Sequence, residues 1–170
     1  MELSTLQFWR DGLYACDDRT GVVYELKNTA VETAEPIAVP RFILSDGDGN
    51  SPSGMRCEWS TIKGDYVYFG STGKYWTDEK SNEVLHRNAV WVKNISPEGR
   101  VGHFDWSEPF ARIRKSLNVG ANGYVIHECA LWSSVRKRWI FIPRHVSSTP
   151  YTPNDEQHRG STMMIVADSS

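Results

Sequence analysis

Short stretches of apolar or alternating residues, separated by polar turn sequences, occupy most of this chain. Runs of about four to nine residues that are rich in β-branched and aromatic side chains are typical of β-strands. Along the chain, this criterion predicts about eleven strands, at residues 5–9, 13–16, 22–26, 38–44, 57–62, 66–70, 90–95, 101–106, 124–132, 138–143 and 162–166.

The turn sequences between these runs indicate an all-β fold. Gly, Asp and Pro concentrate at 10–12, 17–21 and 96–99, where tight turns between antiparallel strands are expected. Antiparallel groups of roughly 40 residues fit the blades of a β-propeller, and periodicity alone leaves a β-sandwich open. The polar stretches 72–88 and 145–160 are predicted to be long loops, which carry function more often than strands do.

One segment has a helical rather than a strand pattern. Phe110, Ile113 and Leu117 fall on one face of a helix. Ser107 as the cap, a proline in the first turn and Gly120 after the end complete the signals of one short helix. We expect this amphipathic helix to pack on the sheets in a structural role.

Composition adds limits to the all-β picture. The 170 residues are 39% hydrophobic and 24% charged, which is typical of one folded domain spanning 1–170. Nineteen Lys and Arg against 21 Asp and Glu give a net charge of −2, so bulk positive charge does not attract a nucleic acid. No run of about 18 apolar residues occurs, and no membrane span is predicted.

The cysteines and the N-terminus carry few signals of compartment. Cys16, Cys57 and Cys129 are odd in number, far apart and without a C-x-x-C pair, so their spacing supports neither a zinc cluster nor a disulfide framework. It predicts three small buried side chains. The first residues lack the basic and apolar regions of a signal peptide. A glycosylation sequon at Asn94 slightly favours a secretory route.

Two apparent metal motifs fail on their spacing. The stretch 46–50 begins like an EF-hand loop, but Ser51 and Cys57 stand where that loop requires Gly and Glu. His127 and Glu128 begin like the zinc motif H-E-x-x-H, but Leu131 stands at its last position. We therefore exclude both motifs.

Two glutamates lie in strand-like apolar surroundings. Alternation along 124–132 places Glu128 on a face with apolar residues, and Glu58 precedes Trp59 in a similar setting. A buried carboxylate needs a cation or several hydrogen-bond donors. A structural ion pair with an arginine remains open for each, while two such carboxylates together favour a hard cation such as Ca²⁺.

The neighbouring acids Asp17 and Asp18, followed by Arg19, form a third candidate. As a turn, this sequence requires no function, since Asp is common in turns. As a site, it offers a carboxylate to position water and a guanidinium to hold phosphate.

A series of motifs runs along the chain in one fixed order, at 1–4, 17–21, 43–49, 58–59, 73–77, 91–93, 123–128, 138–144 and 155–160. In this order they resemble the calcium-activated nucleotidase (apyrase) family, of the soluble calcium nucleotidase and arthropod salivary apyrase type. The chain resembles the middle part of the family's pattern.

The resemblance implies a five-bladed β-propeller with Ca²⁺ in its central tunnel. Residues 1–170 are then a partial propeller of about two to three blades with one short helix. The implied activity is Ca²⁺-dependent hydrolysis of nucleoside di- and triphosphates, such as UDP, GDP and ADP, in the secretory pathway or outside the cell. A non-catalytic propeller that binds a nucleotide or sugar, and an inactive truncated fragment, are the alternatives.

Carried over motif by motif, the resemblance implies roles for individual residues. The Ser4 backbone carbonyl and the side chains of Glu58 and Glu128 are expected to bind Ca²⁺. Asp18 and Arg19 are expected at the catalytic centre. The residues implied for the nucleotide and its phosphates are Asp46, Lys74, Trp76 and Arg144.

The chain also departs from the family's pattern. Tyr75 stands where an acidic residue is expected, Cys129 where a small hydroxyl residue is common, and His145 where a second arginine is usual. These differences bear on nucleotide preference and leave the implied Ca²⁺ ligands untouched. Because members of the family are longer and carry further Ca²⁺ ligands in their second half, we expect this chain alone to be a poor nucleotidase.

Overall fold

Four antiparallel sheets dominate this computed structural model, which describes residues 1–29, 33–78, 80–81, 83–120, 122–152 and 154–168. The strands follow one another along the chain as hairpins and meanders, as the turn sequences predict. The all-β prediction is therefore confirmed.

The first sheet is a four-stranded meander, made of β1 (Gln7–Trp9), β2 (Gly12–Cys16), β3 (Val22–Lys27) and β4 (Ile37–Ile43). Trp9 pairs with Gly12 across the predicted turn, where Arg10 has φ 55°. The turn at 17–21 joins β2 to β3. Gly21 has φ +67° there, and a Cβ on it would lie 2.3 Å from the Leu44 carbonyl oxygen, so the turn requires glycine.

The second sheet carries an insertion. Its region contains β5 (Trp59–Lys63), β6 (Tyr66–Gly70), β7 (Trp76–Thr77), β8 (Val84–His86), β9 (Trp91–Ile95) and β10 (Val101–Asp105). The sheet order is β10-β9-β6-β5, and β7 pairs with β8 in a separate hairpin. Predicting 72–88 as a loop is thus wrong for the hairpin, whose strands of two and three residues are too short to leave a periodic signal.

The third sheet follows a helix. This part of the chain contains α1 (Ser107–Ser116), β11 (Tyr124–Ser133), β12 (Arg138–Ser147), α2 (Asp155–His158) and β13 (Ile165–Asp168), with the sheet order β11-β12-β13. The loop predicted at 145–160 therefore contains the end of β12 and a helical turn. The predicted helix is confirmed with Phe110 and Ile113 buried, but the Asp105 side chain, 2.7 Å away, accepts the Ser107 N–H in place of a serine cap.

Apolar residues cover both faces of the second sheet. In β6, Val67 and Phe69 face a cluster shared with the first sheet, whereas Tyr68 packs on a cluster shared with α1 and the third sheet. This follows from the two-residue period of a strand. The second sheet therefore lies between the other two, and the residues near its ends are positioned from both sides.

Three successive meanders agree with the predicted two to three blades. The closed five-bladed propeller remains a prediction from the resemblance. Within the described ranges, no helix is long and apolar enough to cross a membrane.

Cys16 and Cys57 form a disulfide, with their Cα atoms 6.0 Å apart and a sequence separation of 41. The prediction that both are unpaired small side chains is wrong, because sequence spacing does not show that the end of β2 meets the segment before β5. Cys129 is a free, partly exposed thiol, so its predicted burial is also wrong. The disulfide lies two residues before Asp18 and one before Glu58.

The sequon at Asn94 lies inside the second sheet. Asn94 is 7% exposed in β9 and pairs with Tyr68 of β6 and Gly102 of β10. Glycosylation requires a surface position. The sequon therefore does not support a secretory route.

Candidate active site

A cleft of about 890 Å³ gathers side chains from segments next to the first and second sheets, from strands of the third sheet and from the β7–β8 hairpin. It contains seven of the nine residues that the sequence assigns to the site, namely Ser4, Asp18, Glu58, Lys74, Trp76, Glu128 and Arg144. The two remaining residues, Arg19 and Asp46, do not line it.

The β2–β3 turn orients Asp18 by means of its neighbour. The Asp17 side chain accepts the Arg19 N–H at 2.9 Å, and its carbonyl accepts the Gly21 N–H at 3.0 Å. The Arg19 N–H lowers the pKa of the buried Asp17 carboxyl. Asp17 thus holds the turn, while Asp18, whose N–H donates to the Glu2 carbonyl, lines the cleft.

Arg19 does not line the cleft. Its side chain is largely exposed, and its Nε lies 2.8 Å from the Glu2 carboxylate. The predicted catalytic role of Arg19 stays a prediction.

The Asp18 carboxylate is poorly satisfied by the protein. Its Oδ1 is buried and lacks a hydrogen-bond partner among the described residues, and Arg56 Nε lies 3.7 Å away. Sequence reasoning missed Arg56. The alternation of buried Met55 and Cys57 with Arg56 and Glu58 was the available signal, because it puts Arg56 and Glu58 on one side.

Glu58 has a raised pKa, which is typical of a carboxylate in a functional site. Burial, reinforced by the charges of Asp18 and Glu128, raises the pKa of Glu58 to about 7, and Arg56 and Arg144 oppose this only in part. A carboxylate crowded by like charges is stabilised when a cation binds between them.

Paired irregularities in the third sheet position Glu128 and Arg144. In the β11–β12 ladder, His127 pairs with Pro143 and Cys129 with Ile142, so Glu128 has no opposite partner. Arg144 is skipped likewise, and its Nη1 lies 3.2 Å from Glu128 Oε1. The predicted placement of Glu128 in an apolar row agrees with Ile126, which lines the cleft beside it. The prediction is wrong for Ala130 and Trp132, which pack in the core cluster with α1, because the bulges interrupt the alternation.

The hairpin side of the cleft combines a cation with aromatic rings. Lys74 Nζ lies 4.1 Å from the Tyr151 ring centroid and 5.9 Å from that of Trp76. Trp76 is half-exposed and stacks on His86, with centroids 5.9 Å apart. Tyr151 was missed, since it lies in a polar stretch without periodicity.

Asp46 belongs to a different cluster. Its carboxylate accepts a hydrogen bond from Asn88 at 2.9 Å, in the loop that resembles an EF-hand. This loop encloses the buried Lys93, whose Nζ contacts the Gly47 carbonyl and lies 2.9 Å from His103. Burial lowers the pKa of Lys93 to about 8. The predicted role of Asp46 near the nucleotide stays a prediction.

The donors in the cleft fit a hard cation. Carboxylate and carbonyl oxygens are the ligands that Ca²⁺ prefers, and it takes six to eight of them. Among the described residues, no three His, Cys, Asp or Glu side chains converge closely enough to bind a metal alone. The cleft therefore presents two carboxylates, those of Glu58 and Glu128, of the type that a hard cation takes.

An all-β chain whose cleft combines carboxylates with Lys74 and Arg144 is a candidate metal-dependent phosphate-ester or anhydride hydrolase. Comparison with known proteins gives the family. The family model for apyrases matches residues 1–170, and the chain belongs to the apyrase family.

Curated relatives agree with this assignment. The chain is 39% identical over 167 residues to the mouse soluble calcium-activated nucleotidase 1, covering 98% of the chain and 40% of the relative. It is 38% identical over 168 residues to an apyrase of Cimex lectularius and 33% identical over 166 residues to apyrase apy-1 of Caenorhabditis elegans. These alignments cover 99% and 98% of the chain and 44% of each relative. The chain thus spans less than half the length of these relatives.

Proposed function

We propose that the protein containing this chain hydrolyses nucleoside di- and triphosphates with Ca²⁺ and releases phosphate. The observation that carries this proposal is the meeting of Asp18, Glu58 and Glu128 with Lys74 and Arg144 in one cleft. Membership of the apyrase family and the names of the relatives support the same chemistry.

The side chains divide into metal ligands and phosphate ligands. Glu58, Glu128 and the Ser4 carbonyl hold Ca²⁺, which supplies charge neutralisation and polarisation of the phosphate oxygens when bound. Lys74 and Arg144 hold the phosphate oxygens, Arg144 with the planar fork that suits an oxyanion. Arg144 pairs with Glu128, and it would give up this pairing for a phosphate oxygen if Glu128 held Ca²⁺.

Asp18 acts as the general base for the attacking water. Its carboxylate, whose Oδ1 lacks a hydrogen-bond partner among the described residues, accepts a proton from water as the water oxygen bonds to the terminal phosphorus and the bridging P–O bond breaks. The shorter nucleotide leaves with the bridging oxygen. Arg56, 3.7 Å from that Oδ1, orients the carboxylate.

The Asp18→Asn variant tests this assignment. We expect it to abolish phosphate release from UDP, GDP and ADP while leaving Ca²⁺ binding nearly intact, since an amide cannot accept the proton at neutral pH. Phosphate release with Ca²⁺ and with EGTA, together with Ca²⁺ calorimetry, measures both properties. Asp11→Asn, an exposed change in the β1–β2 turn, is the matched control. Full turnover by Asp18→Asn would remove Asp18 from the mechanism, and nucleotide binding without any turnover by the unmodified protein would favour a binding propeller.

The disulfide supports a secretory or extracellular location. Structural disulfides persist in oxidising compartments and are rare in the cytosol. Cys16 and Cys57 form such a bond beside the proposed site.

A further inference from the structure

A small cavity lies beside the cleft, on the other side of Lys74. We call it the annex. It has a volume of about 70 Å³, and its lining includes Lys74, Tyr75, Arg114, Gly123 and Tyr124. Lys74 and Tyr151 line both the annex and the cleft, so the two spaces adjoin.

Arg114 is the main charge of the annex. This half-buried residue lies in the last turn of α1, and its Nη2 donates to the Tyr75 hydroxyl at 3.2 Å. Its guanidinium carbon lies 4.6 Å from the Tyr75 ring centroid. Among the described residues, no carboxylate lies within ion-pair distance of Arg114. A half-buried charge without a counterion is unfavourable, so the site favours an anion.

The residues around Arg114 increase the preference of the annex for an anion. No acidic residue is among the described residues that line the annex, and Lys74 adds a second cation to the wall. A further guanidinium, that of Arg87, lies 5.0 Å from the same Tyr75 ring centroid. Two guanidinium groups, those of Arg114 and Arg87, beside a space whose described lining contains no carboxylate favour an oxyanion there.

The volume limits what this anion can be. With about 70 Å³, the annex is well above the roughly 10–15 Å³ that one water molecule needs and well below the roughly 300–1,000 Å³ of sites for drug-sized ligands. A nucleoside does not fit, whereas a single tetrahedral oxyanion does. A guanidinium binds two oxygens of such a group at once, and the ammonium of Lys74 adds a point charge.

We propose that the annex is a second phosphate subsite, distinct from the phosphate position in the cleft. Its ligand is a single phosphate group, the orthophosphate released by hydrolysis, because the terminal phosphorus that water attacks must lie in the cleft beside Asp18. This assignment deepens the proposed function, on which its kinetic consequences rest.

A titration with inorganic phosphate tests binding without requiring turnover. The ¹⁵N-labelled chain in EGTA is followed at the Arg114 side-chain Nε and the Gly123 amide. We expect saturable shifts at both, at least tenfold weaker binding in Arg114→Met, and intermediate affinity in Arg114→Lys, which keeps the charge and loses the fork. Arg112→Met, the same change on the same helix beside Glu108, is the matched control and should bind as the unmodified chain does.

Arg144→Met separates the two phosphate positions, because Arg144 lines the cleft only. The shifts at Gly123 should persist in this variant. Absence of saturable shifts at Arg114 and Gly123, or unchanged affinity in a folded Arg114→Met, would overturn the annex as a phosphate site.

Kinetics test whether the phosphate in the annex is the released product. In Arg114→Met, kcat/KM should hold for both UTP and UDP, and inhibition by orthophosphate should weaken about tenfold. A kcat/KM about tenfold more reduced for UTP than for UDP would overturn the assignment to the product. A protein without any nucleotide turnover would refute the proposed function. The titration would still show whether the annex binds phosphate.

Discussion

The pKa of Glu58 reflects the burial and the charges around this residue. Four carboxylates among the described residues line the cleft, those of Asp18, Glu58, Asp78 and Glu128. Burial, reinforced by the charges of Asp18 and Glu128, raises the pKa of Glu58 to about 7. Near neutral pH, a proton therefore competes with Ca²⁺ for this oxygen pair. The site is thus expected to bind Ca²⁺ less well in mildly acidic solution.

The raised pKa also predicts a pH dependence of stability in the calcium-free chain. Because the folded chain holds the Glu58 proton more tightly than the unfolded chain, whose pKa is near 4.5, stability falls as pH rises from about 4.5 to about 7. In Glu58→Gln this contribution should vanish. Urea unfolding midpoints in EGTA at pH 5 and pH 8 measure it, with Glu108→Gln as the exposed control. An identical pH slope in Glu58→Gln and the unmodified chain would contradict the assignment.

Motifs predicted most site residues but not their directions. Asp18 and Arg19 are adjacent in one motif, yet Asp18 lines the cleft, while Arg19 pairs with Glu2 outside its lining. The sequence did not single out Arg114. Its place in the annex depends on α1 ending beside Tyr75, which no local pattern shows. Sequence gives residue type and order, while direction depends on hydrogen bonds between distant segments.

Among the elements, the β11–β12 hairpin contributes most to the site. Each of its strands has ten residues, long enough for a strong periodic signal, and both were predicted. The bulges at Glu128 and Arg144 were not predicted. A bulge adds one unpaired residue to a strand and needs no particular residue type, so it leaves no signal in the sequence. The regular part of the hairpin fixes its place in the core, and the irregular part makes the site.

The Cys16–Cys57 disulfide ties two elements of the site together. Removing it in the Cys16→Ala/Cys57→Ala variant should lower the free energy of unfolding by about 2–4 kcal/mol, because the unfolded chain regains entropy. Ca²⁺ affinity should fall as well, since the disulfide holds the segments of Asp18 and Glu58 side by side. Urea unfolding and Ca²⁺ calorimetry measure these changes.

Cys129→Ala is the control for this variant, since it removes a thiol that forms no disulfide. If the double variant matched this control in both stability and Ca²⁺ affinity, the disulfide would have no positioning role.

At the scale of the whole molecule, the proposed Ca²⁺ ligands come from the segments of three different sheets. Ser4 precedes β1, Glu58 precedes β5, and Glu128 lies in β11. A cation bound to all three would therefore link these segments, in addition to the apolar packing between the sheets and the Cys16–Cys57 disulfide. The sequence order of the motifs predicted this convergence through the resemblance, whereas periodicity could not have distinguished a propeller from a sandwich.

Ca²⁺ should accordingly stabilise the protein that contains this chain. Ca²⁺ at a hundredfold excess over its Kd should add about 2.7 kcal/mol, and each kcal/mol corresponds to roughly 2–4 °C in Tm for a chain of about this size. Thermal unfolding with Ca²⁺ and with EGTA measures the shift. Glu128→Gln should reduce it and Glu108→Gln should not. Equal Tm values in both solutions, at saturating Ca²⁺, would exclude a site that links the sheets.

The indole cluster at the junction of the second and third sheets has an optical consequence. Trp106 and Trp139 have ring centroids 4.8 Å apart, and Trp59 lies 5.9 Å from Trp106. Transitions of rings this close couple, so this junction should dominate the near-ultraviolet circular dichroism and quench its own emission by energy transfer. Trp76, half-exposed on the cleft, should contribute the long-wavelength emission. Two spectroscopic signals from one chain thus separate the packing of the sheets from events in the cleft.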